Sequence, residues 1–140
     1  MTIESFDGLF SIRGKVALVT GGSRGIGEMI AAGFLAQGAK VYISSRKADA
    51  CHATAQRLTA AYGGECIALP ADLSNIEGVE ALAKALLERE QQLDILVNNA
   101  GASWGAPIDD FPEVGWDKVM DTNVKAVFFL TQKLMPLLRA

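Results

Sequence analysis

The stretch Thr20 to Gly27, TGGSRGIG, places four glycines in eight positions directly after the apolar run Val16 to Val19. A strand that runs into a glycine-rich turn and then a helix gathers several backbone N–H groups and the positive end of the helix dipole at one point, which suits a pyrophosphate. Gly21, Gly25 and Gly27 stand where the backbone must turn tightly, approach a ligand or pack close to a sheet. The spacing is Gly21-x-x-x-Gly25-x-Gly27, not G-x-G-x-x-G, and Glu28 stands where a magnesium-holding mononucleotide loop would continue with Lys and Ser or Thr. Alone, such a turn also serves as a plain loop between strand and helix.

A second set of residues gives the turn a ligand. Sites for NAD carry an acid about 20 residues further on, at the end of the second strand, which accepts hydrogen bonds from the ribose 2′-OH. At that place the chain reads SSRK, Ser44 to Lys47. A carboxylate would repel a 2′-phosphate, whereas Arg46, beside Ser45, can form a charge-assisted pair with it, and Arg24 in the turn adds a second positive charge. The expected cofactor is therefore NADP(H) in preference to NAD(H). The bland alternative is two solvated surface arginines.

Other chemistry-bearing side chains are sparse. Cys51 and Cys66 show neither a CxxC nor a Cys/His ligand spacing and read as reduced core thiols, so no metal site is expected. His52, the only histidine, has no acid or serine motif beside it and reads as a surface residue. Trp104 either borders a substrate channel or packs, and Trp116 reads as core.

These residues must be positioned by regular elements. Apolar runs at Val16 to Val19, Val41 to Ser44, Cys66 to Leu69 and Leu93 to Val97 alternate with segments at helical spacing. The first helical face takes in Ile26, Ile30, Gly33 and Phe34, and the second Cys51, Ala55, Leu58 and Tyr62. Ser74 and Glu77 have capping-box spacing before a stripe of Val79, Leu82, Ala83, Leu86 and Leu87. From about Glu113 one longer helix is expected, with Trp116, Met120, Asn123, Val127, Leu130 and Leu134 on one stripe. Its wide apolar circumference calls for another layer or another subunit. Short apolar strands joined by helical crossovers predict an α/β fold: a Rossmann-type doubly wound parallel sheet in three layers, forming one domain over residues 1–140.

With 140 residues, 50% of them hydrophobic, the chain can bury a core, and its net charge of −3 without a basic block argues against nucleic acid as a partner. The opening MTIESFDGLFSIRGK lacks the basic and apolar regions of a leader, and no run reaches the roughly 20 apolar residues of a membrane span. No membrane association and a cytoplasmic location are expected.

Four signals stand in order: TGGSRGIG, then ADL at Ala71 to Leu73, NNAG at Asn98 to Gly101, and Asn123. Together they resemble the short-chain dehydrogenase/reductase family over essentially the whole chain. The run NNAGASWGAPIDDFPEVGWDKVMDTNV is most similar to the NADPH-dependent 3-oxoacyl-[acyl-carrier-protein] reductases of the rhamnolipid-linked branch. The resemblance implies that Ser23, Arg24 and Ile26 meet the pyrophosphate and nearby ribose, and that Asp72 and Leu73 touch the adenine. It further implies that Asn98 ties the central strands together and that Asn99, Ala100 and Gly101 line the cofactor ribose. Asn123 would be catalytic, holding a water in a proton relay, although an asparagine bonded only to backbone would look the same.

The family's proton donor is a tyrosine in Tyr-x-x-x-Lys, helped by a serine. Here Arg46 stands four residues after Tyr42, and Cys66 four after Tyr62. The chain is thus expected to be the N-terminal portion of a reductase of ketones, such as 3-oxoacyl thioesters or other small carbonyl compounds, incomplete after the fifth helix. Alone it should be inactive and poorly soluble. The resemblance also implies a homo-oligomer, usually a tetramer, for the full-length protein. A non-catalytic NADP-binding module and a nonfunctional truncation product are the alternatives.

Overall fold

The computed structural model describes residues 8–140. The expectation about a leader falls partly on residues 1–7, outside the described residues. Four parallel strands, β1 (Val16–Thr20), β2 (Lys40–Ser44), β3 (Cys66–Ala68) and β4 (Ile95–Val97), lie in the order β3-β2-β1-β4. Val19 is in register with both Ile43 and Val97. The chain winds outward from β1 to β3, then returns to the other side of β1, so the fold is a doubly wound Rossmann-type α/β sheet with its switch point between β1 and β4.

Strand alternation sends side chains to both faces, which explains why the strands read as continuous apolar runs. Val19, Val41 and Ile43 meet α1 (Gly25–Ala36) and α2 (Ala48–Tyr62) in one core. Leu18 and Tyr42 meet α3 (Ile76–Leu87) and α5 (Ala126–Leu138) in the other. Cys51 and Cys66 are buried free thiols, both pushed up by burial, Cys66 to about 11. His52 is exposed.

Several helix faces differ from the sequence reading. In α1 the buried line is Gly27, Ala31 and Leu35, while Ile26 is 66% exposed and Gly33 faces solvent. Small residues form the seam because a Cβ at Gly27 would fall on the carbonyl oxygen of Gly21, so hydrophobicity alone misplaces the face. Cys51, Ala55 and Leu58 are buried in α2 as expected, with Thr54 beside them, but Tyr62 is half-exposed. The cap of α3 is Asn75, not Ser74; its side chain accepts from the Gly78 N–H at 2.8 Å. Val79, Leu82, Ala83 and Leu86 line the core, and Leu87 turns outward.

The segment expected as one long helix is two, α4 (Glu113–Met120) and α5, joined by a π-helical turn at Asp121–Lys125. The wider turn takes up an extra residue and puts the two apolar stripes out of phase. Leu130 and Leu134 are buried as expected, but Trp116 is 58% exposed and not core. Gly115 faces inward instead, against the ring of Trp104. Asn123 is exposed rather than on a buried stripe. No described helix is long and apolar enough to cross a membrane.

Candidate cofactor cleft

The switch point is organised by Thr20, the last residue of β1. Its buried hydroxyl donates to the Val97 carbonyl at 3.3 Å and accepts from the Asn99 and Ala100 N–H groups, each at 3.0 Å. Asn99 answers with its side-chain amide, donating to the carbonyls of Thr20 and Gly21 at 3.0 and 3.2 Å. Asn99, not Asn98, therefore ties the central strands together. Asn98 is exposed and reaches Thr131 at 3.4 Å.

On this frame the turn after β1 folds tightly. Gly21 and Gly25 adopt φ of +64° and +58°, a region that disfavours other residues. Arg24 is the N-cap of α1 but makes no side-chain cap bond, so no side chain of its own occupies the first-turn amides. The positive end of α1 consequently opens on a cleft of about 790 Å³.

All the expected cofactor residues line that cleft. The turn contributes Gly21, Ser23, Arg24, Gly25, Ile26 and Gly27; the end of β2 contributes Ser45 and Arg46. Asp72 and Leu73 enter after β3, and Asn99, Ala100 and Gly101 after β4. Arg24 and Arg46 are exposed and form no ion pair among the described residues. Asp72 accepts from the Ser74 N–H at 2.9 Å; that bond, opposed by partial burial and aided by the charge of Arg46, holds its carboxyl below the usual range.

Other lining residues were given no role in the sequence reading. Lys47 adds a positive charge beside Arg46, while Ser103 lines the cleft from the loop after β4, Lys118 from α4 and Thr122 from the π-helical turn. Lys118 Nζ sits 5.7 Å from the centre of the Trp104 ring, which packs against Gly115. Only the run of basic residues Arg46-Lys47 was visible in advance; the others come together through folding.

Asn123 stands just behind the lining. Its Oδ1 accepts from the Ala102 N–H at 2.9 Å and its Nδ2 donates to the Ala102 carbonyl at 2.7 Å, while Ala102 itself lines the cleft. The amide thus finds backbone partners on both sides and fixes the loop after β4.

A doubly wound sheet with a glycine turn at its switch point, an arginine beyond β2 and NNAG beyond β4 defines a class. Residues 15–140 match the short chain dehydrogenase family, and the chain belongs to it. It is 58% identical over 130 residues to the rhamnolipids biosynthesis 3-oxoacyl-[acyl-carrier-protein] reductase of Pseudomonas aeruginosa, covering 93% of this chain and 50% of that protein. It is 41% identical to gluconate 5-dehydrogenase of Gluconobacter oxydans, covering 89% and 48% respectively. Among solved structures it resembles the Pseudomonas aeruginosa RhlG/NADP active-site complex, with a TM-score of 0.87, 58% identity and coverage of 93% and 50%. The L-sorbose reductase of Gluconobacter frateurii complexed with NADPH and L-sorbose gives a TM-score of 0.88 at 34% identity, covering 92% and 49%. The chain thus spans about half the length of these relatives.

Proposed function

We propose that this chain is the cofactor-holding portion of an NADP(H)-dependent oxidoreductase that interconverts a ketone and a secondary alcohol, with a 3-oxoacyl thioester as the favoured substrate. The observation that carries the reading is the convergence of the α1 N-terminus, Arg24, Arg46 and Lys47 on one cleft with no acid at the end of β2. The donor set suits the group. Backbone amides and the helix dipole favour a pyrophosphate. Arg46 and Lys47 favour a 2′-phosphate, and the buried hydroxyls of Ser44 and Ser45 have no hydrogen-bond partner among the described residues, which leaves them open to a ligand.

In this reading Ser23, Arg24 and Ile26 bind the pyrophosphate end, Ser45 and Arg46 the 2′-phosphate, and Asp72 and Leu73 the adenine. Asn99, Ala100 and Gly101 border the second ribose. The bound nicotinamide supplies or accepts the hydride. Asn123 keeps the loop of Ala102 in place and belongs to the proton-delivering side of the site. These 140 residues contain no Tyr-x-x-x-Lys, and general acid catalysis requires a positioned donor. The donor is therefore assigned to chain beyond these residues, and the favoured location and assembly are a cytoplasmic homo-oligomer.

Calorimetric titration with NADPH is expected to show saturable binding at one site per chain, and an assay with NADPH and an acetoacetyl thioester is expected to show no turnover by these residues alone. Absence of NADPH binding would contradict the reading, and turnover would contradict the assignment of the donor. A non-catalytic NADP-binding module is the second reading, favoured by the same missing motif. Activity appearing when the chain is joined to a segment carrying Tyr-x-x-x-Lys decides against it.

A further inference from the structure

The glycine turn is gripped from outside by α2. Thr54, near the middle of that helix, is 4% exposed, and its hydroxyl donates to the Ser23 carbonyl at 2.8 Å. One turn later Arg57 reaches the Thr54 hydroxyl at 3.5 Å with one nitrogen, and with the other meets Glu28 Oε1 at 2.6 Å. Glu28 lies in the first turn of α1. Helix α2 thus touches the turn on both sides of Arg24 and Gly25.

We infer that Thr54 is a positioning residue for the anion-binding turn, acting through the Ser23 carbonyl. The inference rests on the reading that the cleft takes a pyrophosphate-bearing nucleotide. A trans peptide directs its C=O and the following N–H to opposite sides. Holding the Ser23 carbonyl toward α2 therefore directs the Arg24 N–H away from α2, and among the described residues that N–H has no acceptor. The restraint matters because Gly21 and Gly25, both at positive φ, give the turn conformational freedom that must be lost on binding. The same helix starts directly after Arg46 and Lys47, so one rigid element sets the spacing between the 2′-phosphate end and the pyrophosphate end of the cleft.

Thr54→Val keeps the side chain's size and removes the hydroxyl. It is expected to raise the Kd for NADPH about 3- to 10-fold, the worth of one hydrogen bond. NADH should weaken by the same factor, leaving the NADPH-to-NADH ratio unchanged. Thr54→Ser should return both to within about twofold of wild type, since it retains the donor. Arg57→Met, at an exposed site, should weaken NADPH in the same direction and decides the matter should Thr54→Val fail to fold. A purely structural role would move the melting temperature of Thr54→Val without changing its Kd, and that result, an altered ratio, or no rescue by serine overturns the inference. Binding by wild type with unchanged binding by Thr54→Val contradicts the pin alone. No NADPH binding by wild type contradicts the functional reading and the pin together.

Discussion

Glycines and small polar residues make the site, and each can be tested singly. Gly27 is fixed by the approach of the Gly21 carbonyl and the Asn99 amide, so Gly27→Ala is expected to cost about 2–3 kcal/mol, because backbone cannot yield as a flexible side chain would. Gly33 in the same helix meets nothing within 4 Å at the Cβ position, so Gly33→Ala should stabilise by about 0.5–1 kcal/mol. Urea unfolding of the pair checks both signs, and equal effects would contradict the close-packed seam. Asn123→Ala removes both bonds to Ala102 and should cost about 1–2 kcal/mol by the same measurement. The glycine turn and Arg46 were legible in the sequence because their chemistry is local. The knot of Thr20 and Asn99 was not: its partners lie 77 to 80 positions apart, and single-residue chemistry gives no sign of which of two adjacent asparagines turns inward.

Elements were legible where burial follows hydrophobicity and misread where it follows shape. All four strands and, Leu87 excepted, the stripe of α3 read correctly because aliphatic side chains form their buried faces. The face of α1 was displaced because glycine and alanine let it lie close to the sheet, and the last helix was misjoined because a π turn has no hydropathy signature. A cluster between β2 and the end of α3 predicts a pH effect. Glu90 accepts from the Tyr42 hydroxyl at 2.6 Å and from Lys40 at 2.7 Å. Burial opposes its ionisation, but the bonds from Lys40 and Tyr42 outweigh this and hold its carboxyl below the usual range. Its contribution to stability is therefore full above about pH 4.3, the unfolded value, and lost as pH falls through the lower folded value. Lys40 is raised chiefly by its bond to Glu90, and Tyr42 chiefly by burial, so their contributions are present below about pH 10 and lost as pH rises through the folded values. Glu90→Gln should flatten the acid limb of a stability-versus-pH curve, lessen the alkaline limb through Lys40 while the part due to burial of Tyr42 remains, and cost about 1 kcal/mol at pH 7; unchanged limbs would contradict the cluster's role.

At the scale of the molecule, the sheet brings residues from four strand ends to one cleft, which is why motifs scattered from Thr20 to Asn123 read as one site. The fold class was legible from alternating elements, and the order β3-β2-β1-β4 follows from the rule that doubly wound sheets reverse beside their first strand. Strand β4 stands at the sheet edge with Ile95, Leu96 and Val97 only half-buried, and Val124 and Phe128 are 53% and 62% exposed. Such an edge and apolar surface predict that the chain on its own self-associates at micromolar concentration; sedimentation showing a monomer throughout would contradict this. The central claim, a cleft built for a dinucleotide bearing a 2′-phosphate, is tested most directly by the ratio of NADPH to NADH affinity in wild type and Arg46→Ala. Wild type should favour NADPH at least about 10-fold, with Arg46→Ala losing most of that preference through NADPH while NADH affinity stays near wild type. Equal affinity of the wild-type chain for the two cofactors would contradict the account.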